Sequence, residues 1–232
     1  MSKEILKELE KYDTPSITNI VATYPANKAA CLGLYHPWTG KWYTDERLKC
    51  FFPELGPRAG YAITCVYGLP DPHYGRLKLV DLLRAIKNSP QPVILAVKQN
   101  FPDDYKRIAG LLGGNMMTMF KMCGVTGVLS DGPSRDLDEV RSLGMQYMLT
   151  GVTAGHGDFE LQAINVPVEI CGMIVAPGDI VHMDENGAVK FPAEYLTTVA
   201  ERTEIFCRNE MKNQALMQET TDPEELVRLL GG

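Results

Sequence analysis

Apolar positions along this chain follow two periods. At the start, Ile5, Leu6 and Leu9 share one face of an otherwise charged segment, which predicts a helix from Ser2 to Tyr12. Asp13-Thr14-Pro15 interrupts it. Thr14 is placed to cap a second helix whose first residue is Pro15, where a missing N–H costs nothing, and that helix is expected to end by Pro25. Further on, Gly60 to Leu69 and Pro92 to Val97 are continuously apolar in the manner of buried strands, and Leu79 to Asn88 between them has helical spacing. The alternation continues. Gly113-Gly114 opens a helix with Met116, Met117, Met119, Phe120 and Met122; Val125 to Leu129 reads as a strand, Leu137 to Leu143 as a short helix and Gln146 to Thr150 as a strand. Strands alternating with helices predict an α/β domain with a largely parallel core sheet covered on both faces.

The flanking segments follow other rules. Residues 33 to 58 are rich in Gly, Pro and aromatics (Tyr35, His36, Pro37, Trp38, Trp42, Tyr43, Phe51, Phe52) without either period, and read as a surface loop with its own apolar cluster, or as a lid or subunit contact. From Val166 the β runs are separated by Pro177-Gly178-Asp179 and Asp184-Glu185-Asn186-Gly187, which predicts hairpins, with Asp179 and Asp184 as turn residues. Ala193 to Gln218 is a long amphipathic segment, and Asp222-Pro223-Glu224-Glu225 starts a last helix reaching Leu230. Residues 1–192 therefore read as one domain and 193–232 as a helical tail that serves contacts between subunits.

Charge and cysteine usage narrow the function. A net charge of -6 with no dense run of Lys or Arg argues against nucleic acid or a membrane surface as partner. The six cysteines are scattered with no CxxC pair, which fits reduced, buried thiols in a cytoplasmic protein. No signal peptide or membrane-spanning run is expected.

The candidate chemistry lies between Gly113 and Glu139. Free amides at a helix start near Gly114, Asn115, Met116 and Met117 attract anions. Arg135 and Asp136 follow a strand's carboxyl end, where α/β sheets commonly bind ligands. A guanidinium holds a carboxylate through two hydrogen bonds, and the adjacent carboxylate can hold a hard divalent cation, a pairing suited to a small 2-oxo acid. His73 and His156 are weaker candidates, each a lone histidine in a turn. For Asp136 the plain alternative is a helix N-cap, and for Arg135 a surface salt bridge.

The pattern VxxDGxxRD (Val128 to Asp136), with Arg135 twenty-one positions after Gly114, resembles the RraA-like family. That family includes divalent-metal-dependent aldolases acting on 4-hydroxy-4-methyl-2-oxoglutarate and 4-carboxy-4-hydroxy-2-oxoadipate, together with a regulator of ribonuclease activity. The likeness extends to PxxxxGxxVxPGD and DxxG between Val166 and Pro192. It extends more loosely to Asp13-Thr-Pro-Ser-Ile-Thr, Gly60-Tyr-Ala-Ile-Thr and Pro92-Val-Ile-Leu-Ala-Val, with a non-matching insertion near residues 33–55. The resemblance implies a layered α/β/α, swivelling-domain-like fold with a central mixed sheet and extended C-terminal helices. It also implies a metal-dependent (class II-type) lyase that releases pyruvate from a 4-hydroxy-2-oxo acid, with oxaloacetate decarboxylation as a side activity. Arg135 and Asp136 are then the catalytic pair. Gly114, Asn115, Met116, Met117 and Arg135 bind substrate, and Asp136 holds Mg²⁺ or Mn²⁺. A neighbouring subunit of a trimer or hexamer supplies Glu210, or in second place Glu204. One departure stands out: metal-dependent relatives carry an acid at the helix-opening position, where this chain has Gly114. The alternatives are a non-catalytic regulator or binding module, or another metal-dependent lyase or hydrolase acting on a keto acid.

Overall fold

The computed structural model describes residues 2–24, 30–73 and 76–230. Its centre is a mixed sheet. Strands β2 (Arg58–Gly68), β3 (Val93–Asn100), β4 (Val125–Ser130) and β5 (Gln146–Leu149) run parallel, in the order β5-β4-β3-β2. The far edge of β5 takes the short antiparallel β1 (Lys49–Cys50). The far edge of β2 is divided: β9 (Ile180–Asp184) pairs with Arg58 to Tyr61, and β6 (Glu160–Ile164) with Cys65 to Gly68. Strand β10 (Gly187–Phe191) then closes a hairpin with β9, leaving the mixed sheet nearly closed. The expected α/β class, mixed sheet and C-terminal helices are all present.

Period two along the strands sorts side chains between two cores. Ile63, Cys65 and Tyr67 of β2, with Val93, Leu95 and Val97 of β3, face helices α3 (Leu79–Asn88), α5 (Gly114–Met122) and α6 (Leu137–Ser142). Ala62, Ile94 and Ala96 face the other way, against the small hairpin of β7 (Val168–Ile170) and β8 (Met173–Val175). A third cluster joins α1 (Ser2–Leu9), α2 (Thr14–Val21) and the first turns of α7 (Leu196–Met217) to β9 and β10 through Leu6, Ile17, Ile180, Phe191 and Val199. The start of the C-terminal tail is therefore part of this core. Ile205, Met211 and Leu216 farther along α7, and Val227 and Leu230 of α8 (Pro223–Leu230), are exposed. Among the described residues no helix is long and apolar enough to cross a membrane.

One local expectation is corrected. Helix α2 is capped by Asp13, whose carboxylate accepts the Ser16 amide at 2.9 Å, and it ends at Val21. Thr14 is otherwise engaged: its amide donates to Asp184 Oδ2 at 2.7 Å and its hydroxyl meets His182 Nδ1 at 3.0 Å. The aromatic insertion carries the expected apolar cluster and is docked on β10. Trp42 is only 3% exposed, stacks on Tyr35 at 5.3 Å, and its carbonyl accepts the Lys190 amide of β10 at 3.0 Å, whereas Trp38 is 86% exposed. At the end of the insertion, buried Gln146 donates to the carbonyls of Phe52 and Gly56 at 3.1 and 3.0 Å, holding that segment on β5. Asp179 and Asp184 do serve turns, accepting the amides of Ala176 and Asn186.

His182 joins these layers from full burial. Its Nε2 faces the Leu9 carbonyl at 3.1 Å and therefore carries the proton, leaving Nδ1 to accept from Thr14. Burial pushes the imidazole pKa below its usual value, against the opposing pull of the Asp184 carboxylate. The unfolded chain takes up the proton near pH ~6.5 while the folded one resists it, so stability is intact above that pH and declines as pH falls below it. The thermal midpoint is expected to drop by several degrees from about pH 7 to about pH 5.5, and His182→Gln to flatten that slope. Equal slopes in the two proteins would place the pH dependence on another group.

Candidate functional site

Helix α5 begins where two glycines let acidic side chains approach its amides. Gly113 is extended at φ -136, and a Cβ there would lie 2.5 Å from Asp136 Oδ2. A Cβ on Gly114 would collide with the Glu139 carboxylate. The Gly114 amide donates to Asp136 Oδ2 at 3.0 Å, so Asp136 takes one of the free donors of the helix start. A side chain at either position would displace a carboxylate.

Asp136 reaches α5 through its backbone. At φ 60 and ψ 44 it sits in the left-handed region, a conformation that costs a non-glycine residue about 1–3 kcal/mol and recurs at functional sites. It occupies the N-cap position of α6 but makes no side-chain capping bond there, so capping does not explain it. Arg135 Nε lies 3.3 Å from Asp136 Oδ2. Among the described residues the two terminal guanidinium nitrogens and Asp136 Oδ1 have no partner. A purely structural salt bridge would leave fewer groups open. The backbone beneath is braced: the Arg135 amide donates to the Leu112 carbonyl at 3.1 Å, and buried Tyr147 donates to the same oxygen at 2.9 Å. Ser134 Oγ accepts the Leu112 amide at 3.3 Å.

Arg135 and Asp136 line a cavity of about 140 Å³ with Gly113, Asn115, Met116 and His156. Of the expected substrate-binding positions, Asn115 and Met116 are there, with amides that helix geometry leaves without intrahelical acceptors. Met117 is not: its amide donates to the Gly113 carbonyl at 3.0 Å and its side chain is buried in the core. His156 enters because its loop is tied back by the Gly110 amide on the Gly155 carbonyl at 2.9 Å, and its ring stands edge-on to Phe159. His73 lies in an exposed turn and does not line the cavity. Glu210 stands on α7, where burial and then the nearby Asp13 hold its carboxyl above the usual range; in its own chain it is not part of this cavity.

Glu139 is the residue that reading by motif missed. Its carboxylate fills the space beside Gly114 that a side chain at that position would occupy. It stands in the first turn of α6, and no motif or spacing in the sequence singles it out. Among the described residues no three His, Cys, Asp or Glu side chains gather as a metal cage. Two carboxylates at one helix start, with Asp136 Oδ1 unpartnered, suit Mg²⁺ or Mn²⁺, since Mg²⁺ is bound through one or two carboxylates and keeps several waters.

With this geometry in place, the chain belongs to the RraA-like family: the family model, Aldolase/RraA, matches residues 40–190. An uncharacterised protein of Methanocaldococcus jannaschii is 31% identical over 118 residues, which is 50% of this chain and 57% of that relative's length. Among solved structures, an uncharacterised Pseudomonas syringae protein aligns with a TM-score of 0.74 at 20% identity, covering 98% of this chain and 94% of that one. Streptomyces coelicolor RraAS2, an unusual member of the RNase ES inhibitor RraA protein family, aligns with a TM-score of 0.65 at 19% identity, covering 92% and 96%. These structures share the fold.

Gly114→Ala tests the packing directly. Because the clash falls on the far end of a flexible glutamate, the thermal midpoint is expected to change little, within the equivalent of about 1 kcal/mol, while Glu139 leaves its place. A crystal structure of the variant with Glu139 unmoved would contradict the collision.

Proposed function

We propose that this chain is a divalent-metal-dependent lyase that cleaves a C–C bond of a 2-oxo acid to release pyruvate, as a 4-hydroxy-2-oxo acid aldolase with oxaloacetate decarboxylation as a side reaction. The observation that carries the reading is the convergence of the Arg135 guanidinium and the Asp136 carboxylate in one cavity at the amide end of α5, with the Glu139 carboxylate beside Gly114 at the same helix start. Asp136, with Glu139 second, would hold Mg²⁺ or Mn²⁺, which when bound polarises the keto oxygen and offsets developing negative charge. Arg135 grips the 1-carboxylate through its paired N–H groups, and the amides of Asn115 and Met116 complete the anion site. The 4-hydroxyl proton passes to water in the cavity as the C3–C4 bond breaks. The electron pair is left on an enolate beside Arg135, and protonation at C3 gives pyruvate.

The decisive assay is pyruvate release from a panel of 4-hydroxy-2-oxo acids and oxaloacetate with Mg²⁺, Mn²⁺ or EDTA. Turnover is expected with either ion and none with EDTA; silence across the whole panel would overturn the lyase reading in favour of a regulator or binding module. Asp136→Asn, which tolerates the left-handed backbone, should lower turnover about a hundredfold or more with the thermal midpoint retained. Arg135→Lys keeps the charge but not the planar fork, and should be impaired to a similar degree. Near-normal activity in either variant would remove that residue from the mechanism.

The same reading includes a trimer or hexamer in which the exposed end of α7 meets a neighbour and brings Glu210 to its site. Met211, 70% exposed, and Ile205 and Leu216 give that end an apolar surface with no cover in the single chain. Since Leu196, Val199 and Ala200 are core residues, the informative truncation removes residues 209–232 only. Light scattering should show an oligomer for the full chain and a folded, smaller and inactive species for the truncated one; a full chain that is monomeric at micromolar concentration would end the shared-site scheme.

A further inference from the structure

A second cavity, of about 570 Å³, opens at the carboxyl ends of β3, β4 and β5. Lys98 from β3, Asp131 just past β4, Thr150 and Gly151 just past β5, and Lys106 and Arg107 of the short helix α4 (Asp103–Lys106) and its C-cap line it. Its charge arrangement is unbalanced. Asp131 Oδ2 accepts from both ammonium groups, Lys98 at 2.6 Å and Lys106 at 2.7 Å, while Oδ1 is taken by the Gln99 amide at 2.7 Å. The side chains are 8% (Asp131), 19% (Lys106) and 34% (Lys98) exposed, so the cluster holds one surplus positive charge that is only partly accessible to water. A partly buried charge without a counter-ion is costly and is relieved by one.

The other charged groups around the cavity do not supply it. Glu169 lies 3.6 Å from Lys41, and Arg47 is already held by Asp45 through two bonds of 2.9 and 2.6 Å. Asp103 opens α4, where free backbone amides oppose its charge. Arg107 has no partner among the described residues and adds a second open cation. The carboxyl ends of parallel strands are where α/β sheets commonly take ligands. The backbone of Ser134 donates to Gly151 at 3.1 Å and accepts from Thr153 at 2.9 Å, and this cavity shares no lining residue with the one containing Arg135.

We infer that this cavity is a second anion site, taking a small doubly charged oxyanion, a dicarboxylate or a phosphate group, between the Lys98–Lys106 pair and Arg107. It does not depend on the lyase reading. Calorimetric and thermal-shift titrations of the full chain with malonate in one arm and inorganic phosphate in the other, at ionic strength matched with chloride, should show saturable binding in at least one arm, and which arm is tighter identifies the source. Arg107→Ala should weaken that binding about tenfold without moving the midpoint of the anion-free protein, and Arg135→Ala should leave it intact. Asp131→Asn separates the inference from a plain structural clamp. Removing the shared carboxylate frees both lysines, so the variant should be less stable alone yet bind the anion more tightly and recover stability in its presence. If Asp131→Asn does not fold, Arg107→Ala carries the test. No saturable binding in either arm, binding lost with Arg135→Ala but kept with Arg107→Ala, or a folded Asp131→Asn protein that binds no more tightly would each overturn the site.

Discussion

An interior strand must satisfy its backbone donors and acceptors on both edges, and in this molecule that obligation falls most heavily on β2. One edge is met by β3 over its full length, while the other is shared by β9 at the start and β6 at the end. Because β9 and β6 come from far along the sequence, they carry with them the β9–β10 hairpin, on which α1, α2 and α7 pack, and the loop containing His156. The parallel half of the sheet thereby becomes a fixed platform. Its strand ends, at Ser130 and Leu149, set where the loops with chemistry can begin.

On that platform the groups of the candidate site are placed by contacts that exclude side chains. Gly113 and Gly114 let two carboxylates from a different element occupy the opening of α5, and a left-handed Asp136 turns its carboxylate away from its own helix to reach it. The space beside Gly114 is filled by the Glu139 carboxylate from α6. The same loop begins with Asp131, whose two ammonium partners anchor it to β3 and α4, so a single stretch of six residues borders two cavities.

Much of this was legible in the sequence, because it is local. Continuous apolar runs marked β2, β3 and β4, helical spacing marked α3 and α5, and the Arg135–Asp136 pair stood out by residue type. What escaped depended on partners distant in the chain. Thr14 looked like a cap until His182 and Asp184 claimed its hydrogen bonds, leaving Asp13 for Ser16. Trp42 looked like surface until β10 gave its backbone a partner. Met117 was one residue too far into its helix for a free amide, a point of register that helix geometry alone decides. Glu139 carried no signal of its own in the sequence; only the fold shows that its carboxylate lands in the space beside Gly114.

The docked insertion has a spectroscopic consequence. Both tryptophans of the chain, Trp38 and Trp42, lie in it, one almost wholly in water and the other enclosed against Tyr35. Intrinsic emission therefore combines a solvated indole with a shielded one, and its red shift on unfolding follows the release of Trp42 from β10. The parallel strands contain tyrosine but no tryptophan, so a fluorescence transition that precedes the loss of far-ultraviolet circular dichroism would mark the insertion peeling from an otherwise intact sheet.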